Sequence, residues 1–334
     1  MKSINHIVGV TRNSSFINGD LGSSWGKSLS IAMLFGVWML NSAATGAAEL
    51  CVNPGGTGGC YALPGLAIAA AANGDTIRIH AGTYMEPGSI VITKSDLKII
   101  GDNPLNTAVK NSVAASVFLF PSGANASAEI ANLTITGGGH GIEIQRQSVS
   151  RAADIHHNII AFNGGSGIFA TGYCCGGPLV NAFNNVVRSN NGLGIRAYYG
   201  TDLVYNNIVV ANGDVGIYSG TASYNSSYNN GSTGALNYNF TAGNIGNISL
   251  DCLFTDVNTG DLRLQSGSPC QNTGNPGYLD VDGTRSDMGV YGGPASALFW
   301  PYGNGGPVVT NLVVNPLIVP EGGTLSIKAT VEIR

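Results

Sequence analysis

Few residues in this chain could do acid–base chemistry. Between Asn111 and Leu250 the carboxylates are Glu129, Glu143, Asp154, Asp202 and Asp214. Cleaving a glycosidic bond by hydrolysis needs two carboxyl groups about 5–9.5 Å apart. None of these five forms a close pair in sequence or in the register of the repeat described below. Eliminating a uronate needs a base and a positive charge on the substrate carboxylate. His140, His156 and His157 are the candidate bases. His156-His157 immediately precedes a repeated asparagine, where a structural role is expected instead. Further along, "DVDGTRSD" gathers Asp280, Asp282 and Asp287 in one turn. Hard cations such as Ca2+ take oxygen clusters of this kind, although the spacing is not that of an EF-hand loop, and Asp-Gly turn chemistry alone accounts for such a segment.

The elements that carry these residues are written in a repeat. "HNIIAFNGGSGI" (157–168), "NNVVRSNNGLGI" (184–195) and "NNIVVANGDVGI" (206–217) are near copies. Aligned on Asn132, Asn158, Asn185 and Asn207, they start 26, 27 and 22 residues apart. An apolar residue follows each asparagine (Leu133, Ile159, Val186, Ile208) and is expected inside. Five residues after it stands Gly137 or another asparagine: Asn163, Asn190, Asn212. Nine residues after it comes Gly-Ile. A period in this range marks a stacked repeat architecture. Short β-rich pieces between Asn and Gly turns, with no leucine ladder, fit coils of a parallel β-helix. The repeated asparagine is expected at an inner corner, bonding backbone groups of neighbouring coils.

That register yields one further set of candidates. Eleven residues after each anchor come Glu143, Phe169, Arg196 and Tyr218. Each lies one past an inward isoleucine and so points outward. Arg146, Tyr173, Tyr198 and Tyr199 lie nearby. Aromatics can stack on sugar rings, and a guanidinium or carboxylate can bond hydroxyls. A solvated face of ordinary β-favouring Tyr and Phe has the same composition.

Composition agrees with an all-β chain. Its 334 residues hold 49 Gly and only 10% charged residues, and Gly and Asn are poor helix formers. The net charge of −4 is small, and no lysine occurs between Lys110 and Lys328. Nothing in that pattern suits nucleic acid. "LSIAMLFGVWML" (29–40), preceded by Lys27 and followed by small residues, has the order of a secretory signal. It is short for a membrane span. Residues 1–48 are therefore expected to be leader and signal peptide, cleaved near Ala48, with no integral membrane segment left afterwards. Six cysteines suit an exported chain. They allow 15 connectivities. Proximity favours Cys51 with Cys60 and Cys252 with Cys270, and leaves Cys174 and Cys175 adjacent. Zinc would want two spaced pairs.

"AIAAAANGDTIRIHAGTYMEPGSIVITKSDLKIIGD" (67–102), the asparagine repeat and the segment 246–294 together resemble secreted right-handed parallel β-helix proteins of the pectate-lyase-like superfamily. The resemblance covers about residues 50–295. It implies a right-handed parallel β-helix over 49–300 with a short N-terminal capping helix, and parallel coils from about 75 to 265. It implies an extracellular or periplasmic polysaccharide as partner. If the chain is catalytic, it implies polysaccharide lyase or glycoside hydrolase chemistry. The lyase and hydrolase motifs of the superfamily do not match, so no catalytic residue carries over. Substrate contact is expected at Glu143, Phe169, Arg196, Tyr198, Tyr199 and Tyr218, in a monomer. The alternative is a non-catalytic adhesion or stalk module on the cell surface. Residues 307–334 alternate like strands and resemble the first hairpin of an immunoglobulin-like module, too short to fold as one.

Overall fold

The computed structural model describes residues 5–7, 46–145, 153–171, 180–197, 202–242, 245–301, 308–315 and 326–332. The chain divides into two compact units. One comprises Gly46–Gly305. The other joins Met1–Thr45 to Gly306–Arg334. In the latter, Val308–Asn315 pairs antiparallel with Ser326–Glu332, and Asn5–Ile7 adds antiparallel to the far edge of Ser326–Glu332. The apolar run expected as a signal lies outside the described residues.

The larger unit is a parallel β-solenoid whose coils contribute strands to three faces. Face one runs through Glu49–Val52, Thr76–Ile79, Leu97–Gly101, Ala128–Ala131, Ala153–His156, Val180–Phe183 and Leu203–Tyr205. Face two stacks Gly82–Glu86, Thr107–Asn111, Thr134–Thr136, Ile159–Ala161, Val186–Arg188, Ile208–Val210 and Ser226–Tyr228. Face three stacks Ile90–Val91, Phe118–Phe120, Ile142–Ile144, Ile168–Ala170, Ile195–Ala197, Ile217–Ser223 and Tyr238–Ala242. Every pairing within these faces is parallel. The all-β parallel solenoid implied by the sequence resemblance is thus present. Its coils begin earlier than expected, at Glu49. They end before Phe254–Asp256 and Asp261–Leu264, which form an antiparallel hairpin instead.

Inside, alternate strand positions stack into apolar columns, because side chains on a strand alternate between faces. Ile77, Ile99, Ile130, Ile155, Ala182 and Val204 line face one. Ile142, Ile168, Ile195 and Ile217 line face three. These are the isoleucines of the Gly-Ile pairs. Their glycines are required by close approach. A Cβ on Gly167 would lie 2.8 Å from the Gly194 carbonyl oxygen and closer still to Val187.

The interior of face two corrects the expectation. The inward residues are Ile135, Ile160, Val187 and Val209. Ile159, Val186 and Ile208, one earlier, point outward, and a second apolar layer buries them. That layer is the segment following the coils, with Cys252, Leu262, Leu264, Cys270, Met288, Val290, Tyr291 and Phe299. Cys252 and Cys270 are bonded to each other, as are Cys51 and Cys60. Cys174 and Cys175 lie outside the described residues.

Two asparagine ladders hold the corners. Asn158 donates to the Asn185 Oδ1 at 3.2 Å, Asn185 to Asn207 at 3.0 Å, Asn207 to Asn225 at 3.0 Å and Asn225 to Asn247 at 3.0 Å. The second ladder runs Asn163, Asn190, Asn212, Asn230, Asn237. From Asn158 to Asn247 and from Asn163 to Asn230, each rung also donates to a carbonyl of the preceding coil, as Asn185 does to Ile155 at 2.8 Å. Asn132 is not a rung. The register Thr134↔Ile159 places Leu133 opposite Asn158, and the Leu133 N–H donates to Asn158 Oδ1. Asn132 instead belongs with His157, Asn184 and Asn206, all at positive φ near 50–60°.

The single α-helix among the described residues, Pro64–Ala70, buries Ala67 and Ile68 against the first strands. Proline opens it, where no donor is lost. The buried Glu86 carboxylate accepts the Gly65 N–H at 2.8 Å, and burial pushes that carboxyl up.

Candidate functional site

Coil stacking places Glu143, Phe169, Arg196 and Tyr218 in one outward column on face three. Glu143 pairs with Phe169, Phe169 with Arg196 and Arg196 with Tyr218. Leu119 precedes the column and Asn239 follows it. Tyr198, Tyr199, Arg146 and Tyr173, expected beside it, lie outside the described residues.

The rings in this column are already covered. His140 stacks on Phe169 with centroids 4.5 Å apart and planes 3° apart. The Arg196 guanidinium carbon stands 5.0 Å from the Phe169 centroid and 5.9 Å from that of Tyr218. His140 belongs to the coil before Phe169 and Arg196 to the coil after it. Both faces of Phe169 are therefore occupied, and its edge faces outward. The column offers charge and hydrogen bonds rather than an aromatic platform.

Beside the start of the column lies a depression of about 820 Å³, lined among others by Ser112, Ser116, Gly138, His140, Glu143 and Gly165. Its glycines, at 137–139 and 164–165, let consecutive turns pack closely. Added Cβ atoms on Gly138 and Gly139 would meet carbonyl oxygens 2.8 and 2.7 Å away. Glu143 is fixed by Ser116, whose hydroxyl donates to Oε2 at 2.6 Å, and by Gln145, whose amide donates to Oε1 at 3.0 Å. His140 Nδ1 accepts the Ser166 N–H at 2.9 Å. The neutral ring therefore carries its proton on Nε2. Burial also holds His140 below the ordinary histidine range. It is poised to donate a hydrogen bond, not to abstract a proton.

Face one holds what the sequence reading missed. Glu129 and Asp154 are register partners, so two carboxylates do stand on adjacent coils, about 4.8 Å apart by backbone spacing. Lys98 precedes them and Asn181 follows. The signal was present in the spacing of 25 residues, which is the true local period, but an anchor on Asn132 conceals it.

In the neighbouring column His156, Phe183 and Tyr205 stack, with Tyr278 continuing the pile: centroids 4.7, 5.1 and 5.6 Å apart, planes within 17°. Here too ring faces are spent on one another.

The hydrogen bonds assign the protons in this cluster. His157 Nε2 donates to the Gly292 carbonyl at 2.8 Å. Burial, then the nearby His156, push its pKa down to about 3. Its Nδ1 is consequently an acceptor, 2.9 Å from His156 Nδ1. His156 Nε2 faces Glu129 Oε1 at 3.1 Å, and the bond from His156 holds the Glu129 carboxyl below its usual range. The ionised Glu129 carboxylate accepts from His156 Nε2–H. Asp154 accepts from Asn181 Nδ2 at 2.7 Å. Glu129, held ionised by His156, is not arranged as the protonated acid a glycosidase needs.

Asp280, Asp282 and Asp287 share a small recess with Gln271, Asn272 and Thr284. Their oxygens accept from the protein itself. Asp280 takes the Gly293 and Asp287 N–H groups, Asp287 the Asn272 N–H, and Asp282 the Thr284 N–H and hydroxyl. Burial pushes Asp280 up to about 6 and Asp287 up to about 7. Among the described residues no three acidic, imidazole or thiol groups converge as a metal cage. The observed bonds make this cluster a brace for the closing segment.

No family's sequence profile matches the chain, and no curated protein matches it. Among solved structures it is similar to the crystal structure of pectate lyase Pel9A, with 14% identity over 74% of this chain and 96% of that one, at a TM-score of 0.35. The strand register of this chain by itself makes it an all-β protein of parallel β-helix architecture.

Proposed function

We propose that this protein is exported and binds an extended polysaccharide across face three, over the depression between Ser116 and Gly165. One observation carries the reading. Coil stacking aligns Glu143, Phe169, Arg196 and Tyr218 in register, beside a cavity whose polar groups are pinned. A column stepping about 4.8 Å per coil matches an extended chain of sugar units. Glu143 accepts sugar hydroxyls, His140 Nε2–H donates to them, and the guanidinium of Arg196 meets a hydroxyl pair or an occasional carboxylate. Among the described face-three strands Arg196 is the only lysine or arginine, which favours a neutral or lightly acidic glycan. Two disulfides fit an oxidising compartment.

A glycan array followed by calorimetric titration tests this. Glu143→Gln and Arg196→Gln should each weaken binding about tenfold or more, and an assay for unsaturated product run alongside reports any lyase activity. Failure of every polysaccharide to bind the wild-type chain ends the proposal. In that case the second reading, a non-catalytic surface stalk, takes its place. The observation favouring that reading is that the ring faces of both aromatic columns are occupied by protein neighbours.

A further inference from the structure

A cleft of about 600 Å³ lies on face two, between the coils and the hairpin of Phe254–Asp256 and Asp261–Leu264. It is independent of the face-three site. Its floor follows one outward column, Lys110–Thr136–Ala161–Arg188, in consecutive register. Lys110 and Arg188 therefore bracket the floor at its two ends, three coil steps or about 14 Å apart by backbone. Ile159, Leu105, Leu262 and Tyr291 supply apolar walls. Phe162 is 59% exposed, with the Arg188 guanidinium carbon 5.0 Å from its centroid.

Charge is concentrated here. Among the described residues from 46 to 301 there are eight lysines and arginines, and three of them, Lys110, Arg188 and Arg263, line this one cleft. Its single lining acid, Asp261, is taken by Arg263 through two bonds. No carboxylate among the described residues pairs with Lys110 or Arg188. Arg188 donates to the Val257 carbonyl at 3.2 Å, which leaves its charge uncompensated in a half-buried site, and burial lowers its affinity for its proton.

We propose that this cleft binds a small aromatic carboxylate. The ring lies on Ile159, Ala161 and Phe162, the carboxylate meets Arg188, and Lys110 meets an oxygen substituent at the far end. A half-buried, unpaired guanidinium calls for an anion. The apolar walls of Leu105, Ile159, Leu262 and Tyr291, with the exposed ring of Phe162 beside them, call for an aromatic ring rather than a sugar. The Thr134 hydroxyl already donates to the Pro104 carbonyl. The volume suits one small molecule.

The probe is 4-hydroxycinnamate, titrated calorimetrically into the full chain, with 4-hydroxycinnamyl alcohol as its uncharged counterpart and galacturonate oligomers as the sugar alternative. The acid should bind at least tenfold more tightly than the alcohol. Lys110→Gln and Arg188→Gln should each weaken it about tenfold, while Arg78→Gln on face one leaves it unchanged. Lys110 makes no side-chain hydrogen bond among the described residues, so its variant reads charge without disturbing the fold. The proposal is overturned if the acid does not bind, if acid and alcohol bind equally, if Lys110→Gln binds as well as wild type, or if galacturonate oligomers bind this cleft more tightly than the aromatic acid.

Discussion

Single residues in this protein are held by proton bookkeeping. Asp280 and Asp287 are carboxyls raised by burial to about 6 and about 7. For a raised acid, folding favours the protonated form. The stability it contributes is fully present below the unfolded value near 3.8 and is lost as pH rises through the folded value. His157 runs the other way. Its folded value is depressed to about 3, so its contribution is present above the unfolded value near 6.5 and is lost as pH falls. Thermal melts of wild type and Asp287→Asn from pH 4 to 8 should separate the two. The variant keeps the acceptor for Asn272 and should gain on wild type as pH rises from about 5 to 8. A constant difference across that range would refute the assignment. At the same scale, Asn185 donates to Ile155, Phe183 and Asn207 and accepts from Asn158. Asn185→Leu strands those buried partners and should cost about 2–4 kcal/mol in chemical denaturation.

Elements here are defined by the coil above and the coil below, not by local propensity. Strands of three residues such as Ile168–Ala170 would not persist alone. Phe169 shows the consequence. An outward aromatic is usually dispensable to folding, yet this one lies between His140 and Arg196. Phe169→Ala should therefore lower the melting temperature by several degrees, from the loss of about 1–2 kcal/mol of ring contacts. An unchanged melt would show that the stack does not contribute. The closing segment is the other element that matters. It buries Ile159, Val186 and Ile208 from outside. The Cys252–Cys270 bond closes an 18-residue separation within it. Replacing both cysteines by serine should destabilise the fold by about 3 kcal/mol on chain-entropy grounds, with the loss read from the denaturation midpoint.

The Gly46–Gly305 unit is a quasi-one-dimensional stack, so its stability is the sum of coil terms and coil–coil interfaces. Both asparagine ladders and the second apolar layer overlap between about residues 158 and 225. Amide hydrogen exchange should be slowest at Ile160, Val187 and Val209, inside those coils, and fastest at the terminal strand Glu49–Val52, which pairs with a full strand on one side and through the single bridge Val52–Tyr61 on the other. Uniform exchange along the stack would mean that the unit opens all at once.

The architecture was legible from the chain because a solenoid repeats its contacts. Asn158, Asn185 and Asn207 recur at one coil's spacing since each must bond the next, and Gly167-Ile168 and its copies recur since a Cβ cannot fit there. The outward column of Glu143, Phe169, Arg196 and Tyr218 followed from the same register. The local phase of a divergent coil was not legible. Leu133 fills a rung in place of asparagine, so the copy anchored on Asn132 slid by one residue and hid the pairing of Glu129 with Asp154, while Ile159, Val186 and Ile208 read as inward because they are apolar, although a non-repeating layer covers them from outside. Nor could periodicity reveal what the non-repeating segment does. Residues 252–299 carry no period, and only their packing shows that Ile159, Val186 and Ile208 are covered, that His157 is buried against Gly292, and that Lys110 and Arg188 share a cleft. A repeating sequence encodes contacts between equivalent positions. Contacts between the repeat and a unique segment exist in the tertiary structure alone.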